Sequence, residues 1–243
     1  MENKSLTLYC CCDHDKFPGY KTSVNNIPII RGYHHLPKDI KNSIKQNNFL
    51  TDGDGDNISH LNPYFGDLTT LYYVWKNCSD EYIGMSQYRR IWDEKTLLNF
   101  EEDVLYISEP VSFHGWNMNL EQQYYSCHDP VFDCPSFTRH LSLTKKIPIP
   151  FEMLDACWKQ QTMHPHNMVF GSLELFRKYC ELVFECTFPL FEHTKHLFHT
   201  VSDNNQKRNI AMSCERLMTT IMYNSEYFFG KQCIRHCKVD FYP

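Results

Sequence analysis

The chain has 243 residues, 42% hydrophobic and 22% charged, the make-up of an ordinary globular protein large enough to bury a core without staples. Its formal net charge is −5, with lysines and arginines scattered rather than banded, which excludes a nucleic-acid clamp built on clustered basic charge. No run approaches the ~20 apolar residues that span a bilayer, and residues 1–5 carry two opposite charges, which reads against a secretory leader.

In chain order, Leu6–Cys12 is an apolar run that ends in Asp13-His14-Asp15. This is the pattern of a buried strand delivering polar groups to the edge of an α/β sheet. Residues 27–30 form a second possible strand. Residues 32–62 are polar and read as irregular structure with one short helix. Asn62-Pro63 has the form of a helix start, and Leu68, Leu71, Tyr72 and Trp75 then follow at helical spacing on one apolar face, to a stop near Asn77. Strands are expected over 81–86, running into Gln87-Tyr88-Arg89-Arg90, and over 104–107. A helix over Leu120–Cys127 leads to a proline-broken loop at Cys134-Pro135. A helix over 151–161 precedes a short strand, 168–171. Ser172 can cap a long helix with Leu173, Phe176, Cys180 and Phe184 along one face. The last helix, 208–224, sets Ala211, Cys214, Met218 and Ile221 in register. Strands alternating with helices predict an α/β layered sheet in a single domain.

The twelve cysteines match neither a disulfide scaffold nor zinc-ligand spacing. They read as buried free thiols of a reducing compartment, and so predict a cytoplasmic protein.

Four groups could carry chemistry. Asp52-Gly-Asp54-Gly-Asp56-Asn57 is open to three readings: a turn held by its own side chains, a ligand contact without metal, or a Mg²⁺ or Mn²⁺ site on Asp54 and Asp56. It is not a helix–loop–helix calcium loop, because the twelfth position is Pro63 rather than glutamate. Arg89 and Arg90, at a strand end, fit either structural salt bridges or the forked binding of phosphate. Glu215, at the rim of the last helix's apolar stripe, is either a solvated side chain or points to a cleft. The two histidines of His164-Pro165-His166-Asn167 could ligate a metal but come without a third ligand, so the segment reads rather as a loop presenting polar groups to a polar ligand. Phosphate-binding glycine loops, nucleophile elbows and zinc-protease motifs are missing from the sequence.

Taken in series, Asp54-Gly-Asp56-Asn57-Ile58-Ser59, Asn62-Pro63, Leu68-Thr69, Leu71-Tyr72, Trp75-Lys76-Asn77, Tyr82-Ile83-Gly84 and Tyr88-Arg89-Arg90 resemble the glycosyltransferase-like family catalogued as domain of unknown function 4422. Gln123-Tyr124 with His128, Asn167-Met168, and Glu215-Arg216-Leu217 resemble its later segments, and Asp13-His14-Asp15-Lys16-Phe17 its opening one. Gln87, Asp67 and Tyr73 depart from that pattern, which has histidine, glutamate and often tryptophan there.

The resemblance implies a GT-A-like, Rossmann-like α/β fold with a central mixed sheet flanked by helices. It also implies a nucleotide-sugar half over about 1–110 and an acceptor half over about 111–243. The implied activity, in polysaccharide biosynthesis, moves a sugar from a nucleotide-diphosphate donor, UDP-linked by preference, to a hydroxyl of a glycan or glycoside. The donor would be met by His14, Lys16, Asp54, Asp56, Asn57, Asn62, Gln87 and Tyr88, and the acceptor by His128, His166 and Asn167. Arg89 and Arg90 would neutralise the diphosphate without a metal, the rival being Mn²⁺ or Mg²⁺ on Asp54 and Asp56. Glu215 would be the base, by analogy with the helix-borne acid of inverting GT-A enzymes. The alternatives are a catalytically silent nucleotide-sugar or carbohydrate-binding domain, and a nucleotide-diphosphate hydrolase.

Overall fold

The seven residues of β1 (Leu6–Cys12) are all buried, as befits a strand covered on both faces in the middle of a sheet. On one side β1 pairs in parallel with β2 (Asn25–Ile30), and β2 with the two-residue β3 (Leu50–Thr51). On the other it pairs in parallel with β4 (Tyr82–Gln87). After β4 the chain turns back through β5 (Arg90–Trp92), then enters β6 (Leu105–Ser108), β7 (Val169–Ser172), β8 (Ile234–Cys237) and β9 (Val239–Phe241). These make a nine-stranded mixed sheet of order β8-β6-β7-β4-β1-β2-β3, with β5 joining β4 to β9. The protein is a mixed-sheet α/β fold with flanking helices, as expected. This computed structural model describes residues 5–242. Most of the segment read as lacking a leader, and residue 243, lie outside the described residues.

The chain divides into two units. The first holds residues 5–109, Asn167–Cys180 and 234–242, and contains the nine-stranded sheet; the second holds Pro110–His166 and Glu181–Cys233. After residue 110 the chain returns to the first unit twice.

In the first unit, Phe170 of β7 lies opposite Tyr106 of β6. Their rings stack at 4.7 Å, and Trp92 meets Phe170 edge-on at 5.1 Å. With Leu6, Leu8, Leu97 and Phe100 they form the core on one side of the sheet, cross-strand aromatic pairs being a main source of sheet stability. Gly84 lets β7 approach β4, since a Cβ there would sit 2.6 Å from the Val169 carbonyl oxygen and collide with the Phe170 side chain.

The second unit is helical apart from a ribbon pairing Val111–Ser112 with Thr162–Met163. Its helices include Leu120–Cys127, Cys134–Leu143, Phe151–Lys159 and Asn209–Tyr223, and Leu173–Thr194 passes into it from the first unit. Trp158, Tyr124 and Phe132 are fully buried there. Among the described residues no helix is long and apolar enough to cross a membrane, and the twelve cysteines are unbridged.

Several elements differ from expectation. Helix formation after Asn62-Pro63 stops at Gly66, whose φ is +52°, and resumes over Leu68–Asn77. The face it buries is Leu68, Leu71, Tyr73 and Val74, while Tyr72 and Trp75 are half-buried. Cys134-Pro135 does not break the chain but begins a helix, because proline is tolerated in the first turn and the Asp133 carboxylate caps the Ser136 N–H at 3.2 Å. The 32–62 segment adds β3 to the expected short helix, Lys38–Gln46. Strands β5, β8 and β9 were not foreseen.

Candidate functional site

From β1 the chain moves to one side of the sheet for β2 and β3, then crosses to the opposite side of β1 for β4. The connections therefore diverge between β1 and β4, and the crevice beyond the carboxyl ends of such strands is where open α/β sheets bind ligands. The register aligns those ends: Cys12 opposes Ile30, Ile30 opposes Thr51, and Cys11 opposes Gln87. Asp13, Arg31, Asp52 and Tyr88 therefore emerge along one edge.

At that edge Arg31 Nε donates to Asp13 at 2.8 Å, and Lys16 lies 3.5 Å from the same carboxylate. Burial pushes the Asp13 carboxyl up, but the charges and hydrogen bonds of Arg31 and Lys16 outweigh it and hold it below the usual range. Beside this pair, Gln87 Nε2 donates to Asp67 at 3.1 Å, and the Arg90 guanidinium donates to Gln87 Oε1. Asn167 also acts on the Asp67 carboxyl, favouring its charged form. Burial raises the Asp67 carboxyl above its ordinary value, against the opposing pull of Arg31, Asn167 and Arg90. Asp67 keeps some solvent contact although densely surrounded, as does a group on the floor of a recess. Tyr20 ties the turn down by donating its hydroxyl to the Gln87 carbonyl at 2.8 Å.

The two adjacent arginines part company. Arg90 belongs to β5 and turns to Gln87. Arg89 is exposed, its guanidinium 5.6 Å from the ring centroids of both Tyr88 and Phe241. It pairs with no carboxylate among the described residues. Lys16 Nζ lies 5.9 Å from the same Tyr88 ring, so two cations share one tyrosine at the end of β4. His14 is exposed on the loop after β1.

The acidic loop does different work. Asp52 is fully buried and accepts the Gly32 and Tyr33 N–H groups at 2.8 and 3.1 Å, with the hydroxyls of Ser59 and Thr69. Asp54 accepts the N–H and hydroxyl of its own neighbour Thr51. Asp56 is exposed and accepts the Tyr72 hydroxyl at 3.3 Å. Asn57 donates to the Gly53 and Gly55 carbonyls, and Asn62 to the Gly66 carbonyl. These hydrogen bonds tie the loop into a turn held by its own side chains. Among the described residues no three His, Cys, Asp or Glu side chains are grouped to hold a metal.

In the second unit, Glu215 accepts the His166 N–H at 2.7 Å. On the same helix Arg216 is buried and donates to Gln123 Oε1 at 2.5 Å and to the Met212 carbonyl at 2.6 Å, and its guanidinium sits 5.3 Å from the Tyr124 ring. The His128 ring packs on the same tyrosine at 4.3 Å. Burial, reinforced by the charge of Arg216, lowers the His128 imidazole to about 4. His128 Nδ1 and Arg216 Nε are buried without a hydrogen-bond partner among the described residues. His166 and Asn167, the last residue of the second unit and the first residue back in the first, both have positive φ, 84° and 48°. Such backbone strain in side chains other than glycine clusters at functional sites.

Of the residues singled out from sequence, Lys16, Gln87, Tyr88, Arg89 and Arg90 gather at the carboxyl edge of the first unit. Asp54, Asp56, Asn57 and Asn62 are engaged in the loop network. Asp13, Arg31 and Asp67 were missed as site residues. The available signal for the first two was position, each being the first charged residue after an apolar strand.

The sequence signature of a family described as Domain of unknown function (DUF4422) matches residues 12–226. The chain belongs to the DUF4422 family. No curated protein matches it. Among solved structures, this DUF4422 chain is similar to the apo structure of WbbM, a bifunctional glycosyltransferase, with a TM-score of 0.73 at 17% identity. The match covers 98% of this chain and 45% of that one, so the chain spans less than half of that protein's length. At this identity the likeness shows a shared fold.

Proposed function

We propose that this DUF4422 chain is a glycosyltransferase that moves a sugar from a nucleoside diphosphate donor to a hydroxyl of a glycan acceptor. The observation that carries the reading is Arg89, a guanidinium with no carboxylate partner among the described residues, beside Lys16 and Tyr88 at the topological switch point. The shared fold with a glycosyltransferase supports it.

In the reaction the bond between the anomeric carbon and the diphosphate oxygen breaks, and its electron pair leaves with that oxygen. The acceptor hydroxyl forms the new bond to carbon and gives up its proton. Charge growing on the diphosphate needs preorganised positive groups, and Arg89 and Lys16 supply them. Arg90 holds Gln87 against Asp67 and so shapes the floor of the crevice. Glu215 is the proposed base, His14 a nucleotide contact, and His128, His166 and Asn167 acceptor contacts. UDP is the proposed nucleoside diphosphate.

One observation favours a silent binding domain instead. Gln87, standing where the family has histidine, is hydrogen-bonded on both sides and cannot carry a proton. A single experiment separates the readings: melting curves against UDP-, GDP- and dTDP-sugars, with and without Mn²⁺, followed by product analysis with saccharide acceptors. Saturating donor should raise the melting temperature by roughly 5–10 °C. A glycosyl product establishes transfer, a melting shift with no product the binding domain, and neither result sinks both.

A further inference from the structure

The carboxyl end of the helix Asn209–Tyr223 borders a recess of about 400 Å³ lined by Tyr223, Asn224, Glu226, Tyr227 and Gln232. All five belong to the second unit, and none is among the residues assigned above. Two tyrosines, 48% and 61% exposed, present aromatic surface to solvent, in a protein whose other large aromatics are mostly buried. The remaining lining is two amides and a carboxylate, with no lysine, arginine or histidine. Such a lining repels an anion such as phosphate. It suits a neutral polyhydroxylated ring, whose C–H face lies on an aromatic ring while its hydroxyls hydrogen-bond to planar polar side chains.

The polar groups are available for this. Gln232 uses its carbonyl oxygen on the Ser225 hydroxyl at 3.1 Å, and Asn224 its nitrogen on the Thr220 carbonyl at 2.8 Å. That leaves an amide donor and an amide acceptor. The Glu226 carboxylate has no hydrogen-bond or ion-pair partner among the described residues. Tyr223 is held in place by its hydroxyl, 2.7 Å from that of Thr162, and by the His164 ring at 5.3 Å, so little side-chain freedom remains to be lost on binding.

We propose that the recess formed by Tyr223, Asn224, Glu226, Tyr227 and Gln232 is a carbohydrate subsite that holds a sugar unit of the acceptor remote from the reacting hydroxyl. Its ligand class rests on the transferase reading above. Tyr223 lies eight residues beyond Glu215 on one helix, about 12 Å along its axis. That separation matches an oligosaccharide rather than a single sugar.

The test is ¹⁹F NMR of protein carrying 3-fluorotyrosine, titrated with glucose-, galactose- and mannose-based di- to tetrasaccharides, the two resonances being assigned with Tyr223→Phe and Tyr227→Phe. Saturable shifts of both are expected for at least one oligosaccharide, with binding weakened at least tenfold in Tyr227→Ala, an exposed position where folding is spared, and in Glu226→Ala. No saturable shift with any saccharide, shifts driven by inorganic phosphate instead, or unchanged affinity in both variants would overturn the proposal. UDP-sugar binding, measured separately, distinguishes the failures. Transfer without recess shifts removes only the subsite, and recess binding without any donor binding removes only the transferase reading.

Discussion

Glu215 accepts the backbone N–H of His166 at 2.7 Å, and this contact is the first of three regular rungs. One helical turn on, Thr219 accepts the His164 N–H at 2.9 Å, and after another the Tyr223 hydroxyl meets that of Thr162 at 2.7 Å. Every fourth residue of the helix engages every second residue of an extended segment, because the two spacings are both close to 6 Å. The rungs lead directly into His166 and Asn167, whose positive φ values need such support.

Glu215 therefore has a structural duty beside its proposed chemical one, and two variants separate them. Glu215→Ala removes the acceptor for a half-buried N–H and should cost about 1–3 kcal/mol of stability in denaturant melts. Glu215→Gln keeps a carbonyl acceptor, so stability should be retained while turnover falls about 10²–10⁴-fold. Undiminished turnover in Glu215→Gln would dismiss it as the base.

The Arg89 guanidinium lies beside the Tyr88 and Phe241 rings and pairs with no carboxylate among the described residues, so truncating its side chain should leave the fold intact and weaken a diphosphate ligand. Calorimetric titration of Arg89→Ala with UDP is expected to show a loss of about ten- to hundredfold, the worth of charged hydrogen bonds. Arg89→Lys should recover part of it, since an ammonium supplies charge without the planar fork.

The raised carboxyl of Asp67 has a stability consequence with a definite sign. A carboxyl whose folded pKa exceeds its unfolded value contributes its stability below the unfolded value, near 4, and loses it as pH rises through the folded value. Asp67→Asn should therefore melt higher than the parent at neutral pH, with the difference closing below about pH 4. A lower melting temperature at neutral pH would mean that Arg31 and Arg90 outweigh burial at this site. Stabilisation with loss of function is the usual mark of a strained site.

Much of this arrangement is legible in the sequence. Leu6–Cys12 and Asn209–Tyr223 announce themselves, one as an uninterrupted apolar run and the other as a clean helical stripe. The helix before β4 is equally legible, down to its end at Asn77, but its buried face is not, because Leu71, Tyr72, Tyr73, Val74 and Trp75 are all apolar or aromatic and define no unique face. Tertiary packing chooses Tyr73 and Val74. β8 and β9 are only four and three residues long and mix polar with apolar side chains, and they form where β6 and β5 offer them an edge. Asp67 and Arg31 are 36 residues apart, an electrostatic contact that no local pattern encodes. The Asp52–Asn57 loop looks like a ligand motif because a tight turn and a metal site draw on the same short polar residues.

His128 predicts an acid limb in the stability profile. Its imidazole titrates near 6.5 when unfolded and at about 4 when buried beside Arg216, so the stability it contributes is present above pH 6.5 and drains away as pH falls to 4, by up to about 3 kcal/mol. His128→Phe should flatten the denaturant midpoint between pH 6.5 and 4. A profile identical to that of the parent would show that the histidine is not desolvated as described.

The most direct test of the central claim is a crystal of the protein soaked with UDP, refined for the position of the diphosphate. The diphosphate is expected at the carboxyl ends of β1 and β4, within about 3 Å of the Arg89 guanidinium and in reach of Lys16. Diphosphate density elsewhere, or density at that edge held by a cation on Asp54 and Asp56 with Arg89 turned away, would contradict it.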